Sequence, residues 1–258
     1  MKQGFTAGGT FRYLDNYPDE RWEFASDANE TASFFRGAYL RQDSQLYELA
    51  LRNADFCADL CCKHTDFVCR YHAAGESQEI YSLIYMRFGG LIYSHLETGD
   101  PYYLETAQAV AGRWLATHRE NWPRQNIGRD AEPVEGILLL HDYTGQDYYF
   151  DAARQIASDV VASLNPDGSW ASGAGVGPFW GTNALEGTLW NGAHLMSGIA
   201  EYIARADQQD PQTVALLAGG KRLLSWWMTL LAYDEYFHRS GMSYAWRRQW
   251  ALARAIND

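Results

Sequence analysis

The chain has 258 residues, of which 47% are apolar, and it carries a formal net charge of −11. This length suits one large domain with a buried core, so we expect residues 1–258 to form a single domain. The negative charge and the lack of a Lys/Arg cluster argue against nucleic acids and anionic membrane surfaces as partners. No apolar run is long enough to cross a bilayer.

The N-terminal segment, residues 1–26, shows no hairpin pattern and is predicted to be irregular. Met1–Gly4 has no apolar segment of the kind that marks a secretory signal, so we expect a cytoplasmic protein. From residue 27 to residue 232 the apolar residues recur at helical spacing, and four helical hairpins can be assigned. A last helix is predicted within residues 233–258.

The hairpin assignment is based on a segment that occurs twice. Thr98–Ala107 (TGDPYYLETA) returns 46 residues later as Thr144–Ala153 (TGQDYYFDAA), and each copy lies between two stretches of helical periodicity. Such a repeat predicts a helix, a tight turn and a second helix, arranged as an array of helical hairpins. The fourth outer helix, about 211–232, opens with Asp210 and Pro211, an N-cap followed by proline at the first helical position.

The outer helices of the first three hairpins share one apolar stripe, with residues three and four apart. The stripe comprises Tyr47, Ala50, Ala54, Cys57 and Cys61, then Leu104, Ala107, Ala111, Trp114 and His118, then Phe150, Ala153, Ala157, Val160 and Leu164. The inner helices are predicted near residues 27–41, 78–97, 130–143 and 183–206. Gly90, Gly136 and Gly198 recur at one position of these helices, which indicates close helix packing. His95 and His141 also match across the repeat and are expected to be structural.

The connections between the helices are asymmetric. Turns from inner to outer helices are short, whereas the connections from outer to inner helices, about 63–77, 120–129 and 165–182, are long. Long irregular connections in a compact domain are often functional. We therefore predict that the long connections lie at one end of the array, beside the N-termini of the inner helices, and form the active face.

The turn block Thr-Gly-(Asp/Gln)-x-Tyr-Tyr-(Leu/Phe)-(Glu/Asp)-x-Ala and the inner-helix Gly-(Leu/Ile) resemble the six-hairpin glycosidase-like (α/α) toroid superfamily. The resemblance covers about residues 27–232 and implies an all-α fold, an α-hairpin repeat array forming an (α/α) toroid. Members of this superfamily include unsaturated glucuronyl and rhamnogalacturonyl hydrolases, polysaccharide lyases and sugar epimerases. A full toroid has six hairpins and four can be assigned, so the ring is open, shortened, truncated here, or completed by a second copy or a partner chain.

The second long connection contains polar side chains that suit a sugar substrate. Arg129 can form paired hydrogen bonds with a carboxylate, and Asn126 is a second binding candidate. Asp130 is a candidate general acid or base if it lies in a cleft. In the alternative interpretation, Asp130 caps the third inner helix and Arg129 pairs with a neighbouring acid.

Aromatic and imidazole side chains in the other long connections are further binding candidates. Trp170 and Trp180 flank a Gly-rich segment and offer flat faces for a sugar ring. Alternatively, this segment is a surface loop whose Trp side chains pack on the core. His72, in the first long connection, is a weaker candidate, and surface exposure is the favoured explanation for it.

The fourth inner helix holds a constellation of polar residues. Glu186, Trp190 and His194 are spaced four residues apart and share one helical face, with Asn191 beside them. This pattern favours a catalytic or binding role. The alternatives are a capping box formed by Asn183 with Glu186, and a histidine buried in the core.

Four cysteines, Cys57, Cys61, Cys62 and Cys69, lie close together in the sequence, with His64 and His72 nearby. Thiolates and imidazoles are the usual zinc ligands. The spacing matches no paired CxxC module, however, and two of the cysteines fall on the apolar stripe of the first outer helix. We therefore expect packing rather than a metal site, and no metal or organic cofactor.

These patterns and the resemblance together predict a carbohydrate-active enzyme, a glycoside hydrolase acting on an oligosaccharide, with uronic acid as one candidate sugar. Asp130 and Glu186 are the predicted catalytic pair. His194 assists catalysis, and the substrate is bound by Arg129, Asn126, Asn191, Trp170, Trp180, Trp190 and His72. The alternatives are a lyase in which His194 or His72 removes the C5 proton, a sugar epimerase, and a non-enzymatic helical-repeat module that binds a glycan or protein.

Overall fold

The structure is a computed structural model. The residues it describes are 30–70, 81–82, 88–121, 133–162, 164–168 and 196–231. The chain divides into two compact units, residues 1–120 and 121–258. The expectation of a single domain over 1–258 stays a prediction.

The first unit contains four helices, counted over its described residues. They are α1 (Glu30–Arg41), α2 (Ser44–Phe56), α3 (Gly89–Thr98) and α4 (Pro101–Asn121), which ends one residue into the second unit. α2 begins where it does because the Asp43 carboxylate accepts hydrogen bonds from the amides of Gln45 (2.9 Å) and Leu46 (3.2 Å). Buried Phe34 and Phe35 of α1 pack against Ala50 of α2 and form the centre of this unit's core.

A π-helical turn, Cys57–Cys61, follows α2 and leads into a small antiparallel sheet. Its strands are β1 (Cys62–Lys63), β2 (Val68–Arg70) and β3 (Tyr81–Ser82), with β2 in the centre. The predicted inner helix at 78–97 is therefore wrong at its start. Tyr81 and Ser82 pair with Arg70 and Cys69 in a ladder, and the helix begins only at Gly89.

The second unit contains four helices within its described ranges. They are α5 (Val134–Thr144), α6 (Asp147–Ala162), α7 (helical over 196–203) and α8 (Pro211–Leu231). As predicted, Asp210 precedes α8, and its carboxylate accepts from the amide of Gln212 at 3.2 Å. α8 packs tightly on its neighbours: a Cβ added to Gly219 would lie 2.4 Å from Cγ1 of Val161 on α6.

The repeated sequence segment forms the same turn in both units. Gly99 and Gly145 adopt left-handed backbone conformations (φ 72° and 68°), and their amides donate to the carbonyls of His95 and His141, each at 2.8 Å. The Nδ1 atoms of the two histidines lie 2.8 and 3.1 Å from the carbonyl oxygens of Asp100 and Gln146. The prediction that His95 and His141 are structural is confirmed.

The predicted apolar stripes are confirmed at their centres. The alanines of the stripe, two on each outer helix, are at most 1% exposed. The stripe of the first outer helix ends early, because α2 stops at Phe56 and the π turn begins at Cys57. The recurring inner-helix glycines Gly90, Gly136 and Gly198 are all buried.

Over the described part of the chain, the helices follow one another as four helix–turn–helix units, α1–α2, α3–α4, α5–α6 and α7–α8. This confirms the predicted all-α hairpin array, to which the sequence analysis had not assigned the small sheet. Residues 1–26 and 233–258 lie outside the described residues. Among the described helices, none combines the length and apolar character needed to span a membrane.

Candidate functional site

The candidate site residues all fall in three segments outside the described residues. His72 lies in 71–80, Asn126, Arg129 and Asp130 lie in 122–132, and Trp170, Trp180, Glu186, Trp190, Asn191 and His194 lie in 169–195. Their roles stay predictions. The structure does describe the residues on either side of each segment.

The segment that contains Asp130 connects α4 to α5. α4 ends at Asn121, and α5 begins at Val134 with Pro133 in the N-cap position. Asp130 lies three residues before that position, in the part of the chain outside the described residues, so both its catalytic and its capping interpretation stay predictions. Pro133 and Val134 are both buried, which ties this end of the segment to the core of the second unit.

The segment that contains Glu186 is attached to the second unit at both ends. Gly168, just before it, packs so closely on α8 that an added Cβ would lie 2.1 Å from the carbonyl oxygen of Arg222. After it, α7 is described from Met196, and Met196 and Ile199 are buried. The predicted catalytic pair, Asp130 and Glu186, therefore belongs to one compact unit.

The first long connection does not start where the loop lengths predicted. His64, two residues after β1 begins, stacks on Tyr102 in the first turn of α4, with ring centroids 6.0 Å apart. That position is next to the short turn Thr98–Asp100. The prediction that the long connections lie beside the N-termini of the inner helices is therefore wrong for the start of this one, because the pairing of β1 with β2 turns the chain back at residues 64–67.

Tyr102 and Tyr103 anchor this region through hydrogen bonds to carboxylates. The Tyr102 hydroxyl donates to Asp59 Oδ1 at 2.5 Å, and the Tyr103 hydroxyl donates to Asp55. Burial raises the pKa of both tyrosines above the usual value, and the hydrogen bonds to Asp59 and Asp55 raise it further. Both phenols stay protonated as donors, so this cluster suits a structural role better than a nucleophilic one.

Arg205 is the centre of a second polar cluster, in the second unit. Its Nε donates to Asp142 Oδ2 at 2.9 Å, and its Nη1 donates to Glu201 Oε2 at 2.7 Å. Burial alone would lower the pKa of Arg205, but the hydrogen bonds to Glu201 and Asp142 outweigh burial and raise it. Glu201 on α7 is thus used in an ion pair with Arg205 four residues later, and the same guanidinium reaches Asp142 on α5.

The described side chains do not assemble a metal site. No group of three or more His, Cys, Asp or Glu side chains within the described set could hold a metal ion. Cys57 is half-buried and its thiol lies 3.8 Å from Asn53 Oδ1, while Cys62 is 4% exposed. His72 and the side chains of Cys61 and Cys69 lie outside that set.

Comparison with known proteins gives one informative likeness. No protein-family model matches the chain, and no curated protein sequence matches it. A solved structure of an unsaturated glucuronyl hydrolase, an aspartate-to-asparagine variant with the oligosaccharide dGlcA-Glc-Rha-Glc, is similar, with a TM-score of 0.56 and 15% sequence identity. The alignment covers 76% of this chain.

The two proteins share a fold. The likeness confirms the fold class predicted from the repeat, a helical hairpin array of the (α/α) toroid type. This chain spans 59% of the length of the glucuronyl hydrolase, and the likeness shows the fold alone.

Sequence reasoning missed the Tyr102–Asp59–His64 cluster. The repeat does single out the tyrosine pair, since Tyr148 and Tyr149 occupy the same positions in the second copy. In both copies the second tyrosine is buried and the first is exposed. The carboxylate partners are 43 and 48 residues away, and no local pattern connects them to the tyrosines.

Proposed function

We propose that the chain is a carbohydrate-active enzyme, a glycoside hydrolase acting on an oligosaccharide that contains a uronic acid. The observation that carries this proposal is the likeness, over 76% of the chain, to a glucuronyl hydrolase with a uronyl oligosaccharide. A fold alone does not specify a reaction. The proposed catalytic residues therefore come from the segments 122–132 and 169–195.

Asp130 and Glu186 are the proposed catalytic carboxyl groups. One protonates the glycosidic oxygen as the bond breaks, and the other activates a water molecule or attacks the anomeric carbon. One observation supports this choice: both residues belong to segments of the same compact unit.

The remaining site residues bind and orient the sugar in this proposal. Arg129 pairs its planar guanidinium with the uronate carboxylate, as such forks do with carboxylates in proteins. Trp170, Trp180 and Trp190 stack on the apolar faces of the sugar rings. Asn126, Asn191, His194 and His72 hydrogen-bond to sugar hydroxyls, and His194 also assists proton transfer.

The reaction can be tested with dGlcA-Glc-Rha-Glc and with an oligosaccharide that ends in saturated glucuronate. We expect release of the unsaturated sugar, seen as new reducing ends and loss of the ultraviolet absorbance of its conjugated double bond. A gain of absorbance on the saturated substrate would instead indicate a lyase. Thermal stabilisation by a sugar without turnover of either would indicate a binding module.

Substitution of the two carboxyl groups tests their assignment. Asp130→Asn and Glu186→Gln should each lower kcat by about 100-fold or more, since each removes a general acid, base or nucleophile. The control is Glu105→Gln, an exposed carboxylate on α4, which should retain wild-type turnover. If Asp130→Asn and Glu186→Gln both turn over at the wild-type rate, the assignment is wrong.

A further inference from the structure

Two cysteines occupy opposite positions on neighbouring strands of the small sheet of the first unit. The register of β1 and β2 places Cys62 directly opposite Cys69, with Lys63 opposite Val68 as the next pair toward the connecting loop. Cys62 is not part of a disulfide in this structure. The sequence alone suggested metal binding or packing for the four cysteines, and the strand register adds a third role.

The backbone hydrogen bonds indicate how close this pair is. The amide of Cys62 donates to the carbonyl of Cys57 and closes the π turn, so this N–H is not directed to Cys69. Cys62 and Cys69 therefore form a pair of the narrow, non-hydrogen-bonded type, in which Cα atoms lie about 4.5 Å apart. Disulfides require a Cα separation of about 4.4–6.8 Å.

We infer that Cys62 and Cys69 are a disulfide site, which closes when the chain meets a disulfide oxidant such as oxidised glutathione. One cysteine thiolate attacks a glutathione sulfur and releases one glutathione thiol. The second cysteine then displaces the other glutathione, so two protein thiols are oxidised and one glutathione disulfide is reduced to two thiols. Because Cys62 is 4% exposed, it takes the second step, inside the protein.

The other cysteines compete poorly for Cys62. Cys57 lies in the π turn, and its thiol is directed to the Asn53 side-chain oxygen at 3.8 Å. Cys61 directly precedes Cys62 in the chain, and a disulfide between adjacent residues departs from the preferred geometry and is strained.

The disulfide would cross-link β1 and β2, the two strands of the hairpin that carries His64. This hairpin is the start of the first long connection, and His64 packs on Tyr102 in the first turn of α4. Oxidation therefore closes a ring around residues 62–69, next to the point where the connection contacts α4. The inference does not depend on any sugar substrate and is separate from the proposed function.

Trypsin cleavage sites make the bond directly measurable. Arg52, Lys63 and Arg70 divide this region into one peptide, 53–63, with Cys57, Cys61 and Cys62, and another, 64–70, with Cys69 alone. The native full chain is equilibrated in buffers of increasing oxidised-to-reduced glutathione ratio, quenched by thiol alkylation, digested and analysed by mass spectrometry. We expect a 53–63/64–70 linked species that grows with the ratio and disappears on reduction.

Single substitutions identify the partner. Cys62→Ser should abolish the linked species, and the matched control Cys57→Ser should retain it. The inference is overturned if the linkage persists in Cys62→Ser, if the bond forms within peptide 53–63, or if both cysteines are alkylated at every ratio. Should Cys62→Ser fail to fold, fragmentation of the wild-type linked peptide locates the bond at Cys62 or, against the inference, at Cys57 or Cys61.

Discussion

Two equivalent tyrosines allow the contribution of a single hydrogen bond to the stability of this chain to be measured. Tyr103 and Tyr149 occupy the same position in the two copies of the repeat and are 7% and 6% exposed. Tyr103 donates to the carboxylate of Asp55, and this bond adds to burial in raising its pKa. Burial and the neighbouring Tyr148 raise the pKa of Tyr149, with no carboxylate among the causes. The pair therefore separates the hydrogen bond from burial.

Tyr103→Phe should lower the free energy of unfolding by about 1 kcal/mol near neutral pH, since it removes a hydrogen bond and keeps the ring. Tyr149→Phe should lower the free energy of unfolding by a smaller amount. Below about pH 10 both the folded and the unfolded chain keep the Tyr103 proton, so the contribution of the bond is complete there. Denaturant unfolding of the two variants and the wild type measures the difference, and equal losses would show that the Asp55 bond contributes nothing.

The same substitution should change the stability of the protein at alkaline pH. Above about pH 10 the unfolded chain loses the Tyr103 proton while the folded chain, with its raised pKa, keeps it, so wild-type stability falls. One such group contributes up to about 1.4 kcal/mol per pH unit. Tyr103→Phe should therefore show a shallower alkaline decline than the wild type in unfolding titrations. An unchanged slope would contradict the raised pKa.

The sequence could predict which residues pair locally and not which pair over long distances. The bonds of His95 and His141 to the turn connect residues five apart, so a repeat at fixed spacing reveals them. The bond of Tyr102 to Asp59 depends on how α4 packs beside the end of α2, which no periodicity encodes. For the same reason, it stays a prediction that Asp130 and Glu186, which are 56 residues apart in the sequence, lie close together in the fold.

At the scale of the elements, the repeated turn depends on its glycines. A Cβ added at Gly99 or Gly145 would meet no atom within 4 Å, so the cost of Gly99→Ala or Gly145→Ala is that of the left-handed backbone alone. We expect each to lower the free energy of unfolding by about 1–2 kcal/mol. Gly112→Ala, also in open space but inside α4, should raise it by up to about 1 kcal/mol. Loss of stability in all three variants would contradict this account.

The packing of α8 on α6 gives a second test at this scale. Gly219→Ala should destabilise the chain by about 1–3 kcal/mol, because its methyl would overlap both Cγ atoms of Val161. In a Val161→Ala background the same change should cost clearly less, since the overlap is removed. A double-mutant cycle from chemical denaturation measures the coupling, and additive effects would contradict close contact between the two helices at this point.

Elements with a strong period were predictable, and short ones were not. α4 and α6 have a regular apolar stripe, α8 has a clear start signal in Asp210 and Pro211, and the structure has all three helices within a few residues of the prediction. The strands β1 to β3 have two or three residues each, too few to show an alternating pattern. They are formed by pairing between segments, and that pairing moved the start of α3 from 78 to Gly89.

For the whole molecule, the net charge of −11 has a consequence for the proposed substrate. A uronate is an anion, so the field of the chain would oppose its approach over long distances, while the proposed contact with Arg129 would attract it only at close range. Salt shortens the range of the field from about 30 Å at 0.01 M to about 8 Å at 0.15 M ionic strength. A short contact between Arg129 and the carboxylate is screened much less.

If the proposed function holds, raising the ionic strength over this range should increase kcat/KM for a uronate substrate, by at most about tenfold. The matched control is the methyl ester of the same oligosaccharide, whose neutral sugar should show no such rise. Arg129→Gln should lower kcat/KM for the uronate and leave its increase with salt in place, because the global charge persists. A fall of kcat/KM with salt would instead mean that a local positive field at the site dominates the approach of the substrate, and the net charge would then not govern association.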